Sequence, residues 1–154
     1  MKSLLLTGLI FFFSANLIHG QTISSDNGLE VENHESVTII LEQLNQDALN
    51  IGLSRDRIMS RARIRLRQLG LEQGKFTTHG YLYIRATVVG SSFALELNYN
   101  REVNFEVEDN LYRRTATVYN KGVVGTHNRN PEFIISSLDG LFDQFLSDYL
   151  DAND

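Results

Sequence analysis

The sequence predicts an α+β fold: a two-layer sandwich in which a four-stranded, mainly antiparallel sheet carries two helices on one face, in the order β-α-β-β-β-α. Three observations predict it. Residues 93–107 alternate apolar and polar at period two, as a strand with one buried face requires. Ile58, Met59, Ala62, Leu66 and Leu69 fall on one side of a helix wound at 100° per residue. Ile134, Ile135, Leu138, Leu141, Phe142, Phe145 and Tyr149 do the same near the end of the chain.

Taken in order, Val37, Ile39 and Leu41 alternate with Thr38, Ile40 and Glu42 and predict a strand at 36–44. Ser54 is a good N-cap for a helix over 54–69, and Gly70 is its stop. Gly74 and Gly80 bracket a loop. Tyr81–Val89 is rich in β-branched and aromatic residues and reads as the second strand, closed by a Gly90-Ser91-Ser92 hairpin turn. Phe93, Leu95, Leu97, Tyr99, Val103, Phe105 and Val107 alternate with Arg101 as the single interruption, and one long strand, or two collinear ones joined by a bulge near Tyr99–Arg101, would put them on one face. After a turn at Glu108-Asp109-Asn110, Tyr112–Tyr119 predicts the fourth strand, fading into Gly122-Val-Val-Gly125. Asn130-Pro131 opens the last helix, because proline at the first helical position has no backbone N–H to leave unpaired.

The beginning of the chain has the order of a secretory signal: Lys2, an apolar run Leu4–Phe13, then small and polar residues up to Gly20. A spanning helix needs roughly 20 apolar residues, and this run is shorter. Residues 1–20 are therefore expected to be a cleaved signal peptide, 21–35 a mobile leader, and 36–154 one domain. No later stretch is apolar enough to leave an integral membrane segment after cleavage. The chain has no cysteine, which removes disulfides and thiolate metal sites, and it has no N-x-Ser/Thr sequon. A formal net charge of −5 argues against a nucleic-acid partner. The expected location is exported, either periplasmic or secreted.

The run Leu66-Arg67-Gln68-Leu69-Gly70-Leu71, the strand Tyr81-Leu82-Tyr83-Ile84, the Gly122-Val-Val-Gly125 segment and the ending Asp143-Gln144-Phe145-Leu146-Ser147-Asp148-Tyr149-Leu150-Asp151-Ala152-Asn153 resemble a family of small exported bacterial proteins of unassigned function. The resemblance covers residues 50–154 and rests mostly on packing residues. It implies the same fold and export, brings no catalytic residues or cofactor, and leaves the activity open.

Two surfaces are candidates for function. The helix over 54–69 carries Arg55, Arg57, Arg61, Arg63, Arg65 and Arg67 against one acid, Asp56, and arginine grips phosphates and carboxylates through two N–H groups at once. Arg61 and Arg65 are candidate contacts for an anionic envelope component. The alternative is internal: the last helix carries Glu132, Asp139, Asp143, Asp148 and Asp151, and helices lying side by side would pair Arg with Asp. The second surface is the helix-free face of the sheet. There Tyr81, Tyr83 and Arg85 lie beside Glu96, Asn98 and Asn100, and Tyr and Arg are enriched at interface hot spots. Its structural alternative is a solvated face knitted by Tyr–Arg and Arg–Glu cross-strand pairs.

His34, His79 and His127 fall in expected loops without metalloprotease spacing, and no G-x-S-x-G elbow exists. The sequence-based expectation is a non-enzymatic binding or accessory module of the bacterial cell envelope, without cofactor. A small metal-dependent or loop-histidine hydrolase using His79 and His127 is the first alternative. The second is a structural subunit of an envelope assembly, joining through the edge of strand 93–107.

Overall fold

The computed structural model describes residues 29–30, 37–68, 70–71 and 80–153; the expected signal peptide, most of the expected leader, His34, Leu69 and His79 lie outside them. The elements are β1 (Thr38–Leu41), α1 (Gln46–Asn50), α2 (Arg55–Gln68), β2 (Gly80–Val89), β3 (Ser92–Val107), β4 (Asn110–Thr126) and α3 (Pro131–Asn153). The strands form one mixed sheet in the order β1-β2-β3-β4, with β1 parallel to β2 and the other pairs antiparallel. The fold is α+β, as predicted.

The alternation in β3 sets the sheet. Phe93, Leu95, Leu97 and Tyr99 are all buried; each faces an apolar residue in β2, and Leu95 and Tyr99 also do so in β4, where Phe93 meets Gly125 and Leu97 meets Lys121. One row runs Ile39–Leu82–Tyr99–Tyr119, the next Leu41–Ile84–Leu97, the next Ala86–Leu95–Val123. Alternate residues point to opposite faces, so these rows make one apolar side. Ile58, Met59, Ala62 and Leu66 of α2 and the eight buried residues of α3 join them in a single core. Phe145 sits at its centre, with ring centroids 5.3 Å from Tyr119, 6.0 Å from Tyr99 and 5.9 Å from Tyr149.

The helix ends follow their sequence signals. The Ser54 hydroxyl accepts from Arg57 N at 3.3 Å, and Gly70, at φ +73°, ends α2 while Leu71 N bonds Leu66 O. Asn130 caps α3 by accepting from Glu132 N at 3.0 Å.

Four details differ from the sequence reading. First, β1 stops at Leu41 rather than reaching residue 44, because Asn45 takes over the edge of β2. Its side-chain amide donates to Val88 O at 2.6 Å and accepts from Val88 N at 3.3 Å, and its oxygen also caps the short helix α1, which was not expected. Second, the bulge opposite Tyr99 and Asn100 has its extra residue, Val118, in β4; the β2–β3 register runs through unbroken. Third, Gly122–Gly125 belongs to β4, which runs on to Thr126. Fourth, β3 is paired on both sides along residues 92–101, so among the described residues only 102–107 keep the free edge expected of this strand, and the outer strands of the sheet are β1 and β4.

Two residues from the stretch read as a leader are seated on the body. Leu29 is fully buried, its carbonyl accepting from Asn153 Nδ2 at 3.0 Å, and the Glu30 carbonyl accepts from Arg101.

Two glycines make room for rings. A Cβ on Gly125 would lie 2.9 Å from the Phe93 ring, and one on Gly80 would lie 2.6 Å from the Tyr99 hydroxyl. Gly80 opens β2. The Gly125→Ala variant is expected to lose roughly 1–3 kcal/mol of stability, because the buried Phe93 ring must move to admit a methyl group. A fall in the urea midpoint with an unchanged denaturant slope checks this.

Candidate functional site

On the helix-free face, β2 places Tyr81 between Thr38 and Asn100, Tyr83 between Ile40 and Asn98, and Arg85 opposite Glu96. The residue that organises this face is Glu42, just past the end of β1. Its Oε2 accepts from the Tyr83 hydroxyl at 2.8 Å and from Arg85 Nε at 2.6 Å, while Arg85 Nη1 reaches Glu96 at 3.5 Å. Farther along, Asn120 Nδ2 donates to Asn98 Oδ1, and the Thr117 hydroxyl donates to Asn100 Oδ1 at 2.6 Å. The result is a set of polar pairs across β2, β3 and β4, reaching the residue just past β1. The hydrogen bonds around Glu42 shift the titration of three groups. The Arg85 bond, and then the Tyr83 bond, hold the Glu42 carboxyl below its ordinary range; the same carboxylate raises the Tyr83 phenol and the Arg85 guanidinium.

Arg61 and Arg65 lie on the outer side of α2, away from this face. Arg57 pairs with Glu132, Arg61 with Asp139 at 3.0 Å, and Arg65 with Asp139 at 3.3 Å and Asp143 at 3.1 Å. Residue numbers rise together along both helices, so α2 and α3 run in the same direction with an ion-pair ladder between them. Asp139 is the shared rung, its side chain only 15% exposed. Arg55 turns to the Leu41 carbonyl at 2.9 Å. Arg57, Arg61 and Arg65 make the internal pairs to α3, and the two sets of candidate residues, Tyr81/Tyr83/Arg85 and Arg61/Arg65, are not brought together.

His127 is fully buried in the turn between β4 and α3. Its Nδ1 accepts from Arg129 N at 3.0 Å, which leaves Nε2 as the N–H that donates to Gly90 O at 3.0 Å. Both ring nitrogens thus pin the β2–β3 turn to the left-handed pair Asn128 (φ +45°) and Arg129 (φ +58°). An open concavity of about 490 Å³ adjoins this corner, lined by Asp47, Asn50, Ile51, Gly90 and Arg129. Among the described residues, no group of three or more His, Asp or Glu side chains stands close enough to hold a metal ion.

A third surface escaped the sequence reading. β2 begins at Gly80, opposite Arg101, so among the described residues β3 and β4 beyond the Glu102–Thr115 pair project as a two-stranded arm. The chain reverses at Glu108 (φ +50°) and Asp109 (φ +63°), the two positive-φ positions of a type I′ hairpin. Near the tip, Phe105 and Tyr112 stack with centroids 5.7 Å apart at 19°, and both stay about two-fifths exposed. Phe105 and Val107 continue the β3 alternation, which is why they read as core.

Comparison with protein-family profiles, with curated proteins and with solved structures found no match for this chain.

Replacing Asp139 by Asn is expected to lower stability by about 1 kcal/mol, with the loss shrinking in high salt, because a partly screened carboxylate serving two arginines is removed. Thermal unfolding at low and high ionic strength checks it. For Glu42, a carboxyl held low in the folded state contributes stability above its ordinary titration range, and that contribution is lost as pH falls through the lowered value. A carboxyl-detected NMR titration should therefore place Glu42 below an ordinary glutamate, and the Arg85→Ala variant should bring it back up.

Proposed function

We propose that this chain is an exported, non-enzymatic binding or accessory module of the bacterial cell envelope, periplasmic or secreted, whose partner is an envelope protein or an anionic envelope component. The observation that carries the reading is the helix-free sheet face. Tyr81 and Tyr83 lie half-buried there beside Arg85, Glu42 and a row of amides, all held in register by strand pairing and by mutual hydrogen bonds. Such a face costs little ordering entropy on binding, and tyrosine offers apolar area with a polar tip. Export rests on Lys2 and the short apolar run Leu4–Phe13, and on the resemblance to small exported bacterial proteins.

The arginine helix supports a smaller share of this reading, since Arg61 and Arg65 already serve the ladder to α3. A hydrolase built on His79 and His127 is disfavoured by the two backbone bonds that occupy the His127 ring.

The test is a pull-down from envelope extract with three baits: the unaltered chain, Tyr81→Ala/Tyr83→Ala, and Arg61→Glu/Arg65→Glu. A component retained by the first and third baits and lost from the second, with circular dichroism unchanged, is the expected result. Equal retention by all three removes the open face as the working surface.

A further inference from the structure

The arm and the outer edge of β4 form a second surface, which the open-face reading does not use. β4 runs for 17 residues, and among the described residues no strand pairs with its outer side. A long free edge presents a row of backbone donors and acceptors to any extended chain; proteins usually blunt it with charged side chains, proline, bulges, a cover or a short strand, and here the Val118 bulge interrupts the edge while residues 110–117 run unbroken before it. β4 contains no proline. At its outer end the edge is also greasy on both faces: Leu111 is 73% exposed on one, and the stacked Phe105–Tyr112 pair and exposed Val107 lie on the other.

The charges along this strand are one-sided. β4 carries Arg113, Arg114 and Lys121 and no carboxylate. Arg113 meets Glu102 of its own arm at 3.2 Å and Lys121 meets Asp148 at 3.7 Å, while the Arg114 guanidinium reaches the Arg113 carbonyl and no acid among the described residues. A second copy of β4 laid along this edge would double the cations on one ladder and bring no acid to it, and like charges across a strand pair are destabilising. An acidic strand has the opposite balance.

We propose that the outer edge of β4 is a strand-addition site for an extended acidic segment of another protein. The register specifies its chemistry. Residues facing Arg113 and Arg114 would be acidic, one on each side of the sheet, and those facing Leu111 and Tyr112 would be apolar. An adjacent acidic pair followed by an adjacent apolar pair meets this requirement in an antiparallel strand. Main-chain bonds supply the affinity and the two pairs supply the selection.

Three synthetic peptides test it against the full chain: one with a Glu-Glu-Val-Val core flanked by threonines, the same peptide N-methylated along its backbone, and a Lys-Lys-Val-Val version. Affinity is read by fluorescence titration of labelled peptide, and the site by amide hydrogen exchange. The glutamate peptide is expected to bind and to slow exchange within residues 110–117, with Arg113→Gln/Arg114→Gln weakening it about tenfold, because charge complementarity is lost while the backbone edge is kept. Equal binding of the lysine peptide overturns the charge assignment, and equal binding of the N-methylated peptide overturns strand addition. Absence of slowed exchange in 110–117 overturns the site. Concentration-dependent self-association of the unaltered chain that slows the same amides overturns the heterologous partner in favour of a second copy. None of these outcomes depends on the Tyr81/Tyr83 face, so this inference and the pull-down succeed or fail separately.

Discussion

The sheet closes its apolar face because β3 keeps one register with both neighbours over its inner half. Phe93, Leu95, Leu97 and Tyr99 must all point to the side where α2 and α3 lie, and a slip of one residue against either β2 or β4 would turn the whole set to water. Other features answer to this requirement. Gly125 and Gly80 stand where the Phe93 and Tyr99 side chains need space. Phe145 fills the hollow between Tyr99 and Tyr119. Tyr119 keeps its hydroxyl bonded to Asp148, and burial first, then that bond, push its phenol far above the ordinary range.

Val118 lets β4 satisfy that register and still leave the body. Helix-side positions in β4 are odd-numbered above the bulge, at Tyr119 and Val123, and even-numbered below it, at Tyr112 and Ala116. One extra residue thus changes the phase of the strand while β3 continues undisturbed. It adds local twist where the four-stranded body gives way to the arm. Beyond that point the apolar alternation of β3 has no helix over it among the described residues, and Phe105 and Val107 stay exposed.

Charge is distributed with a similar logic. Arg57, Arg61 and Arg65 of α2 are directed at Glu132, Asp139 and Asp143 of α3, so part of the charge of a helix that looks strongly basic in isolation is met within the fold. Exposed pairs of this kind contribute about 0–1 kcal/mol each and set helix orientation more than stability. Glu42 plays the corresponding part on the sheet face, where one carboxylate collects Tyr83 and Arg85. β4 departs from this pattern because its cations outnumber the acids its own chain brings to them.

What the sequence determined by itself is what depends on short spacings. The period-two run made β3, the helical stripes with Ser54, Gly70, Asn130 and Pro131 bounded α2 and α3, and the alternate residues Tyr81, Tyr83 and Arg85 were assigned to one face; each depends on neighbours within a few positions. Tertiary structure alone decided where those faces lead. The spacing of Phe105 and Val107 is identical to that of Leu95 and Leu97, yet one pair is exposed and the other buried, because burial depends on whether a helix from elsewhere in the chain covers that stretch. The same holds for Arg61 and Arg65, whose partners lie more than seventy residues away. It holds for Asn45, a loop residue by composition that ends β1 by taking the backbone of Val88. Local periodicity reports which side of an element is apolar; only the packed chain reports what stands on that side.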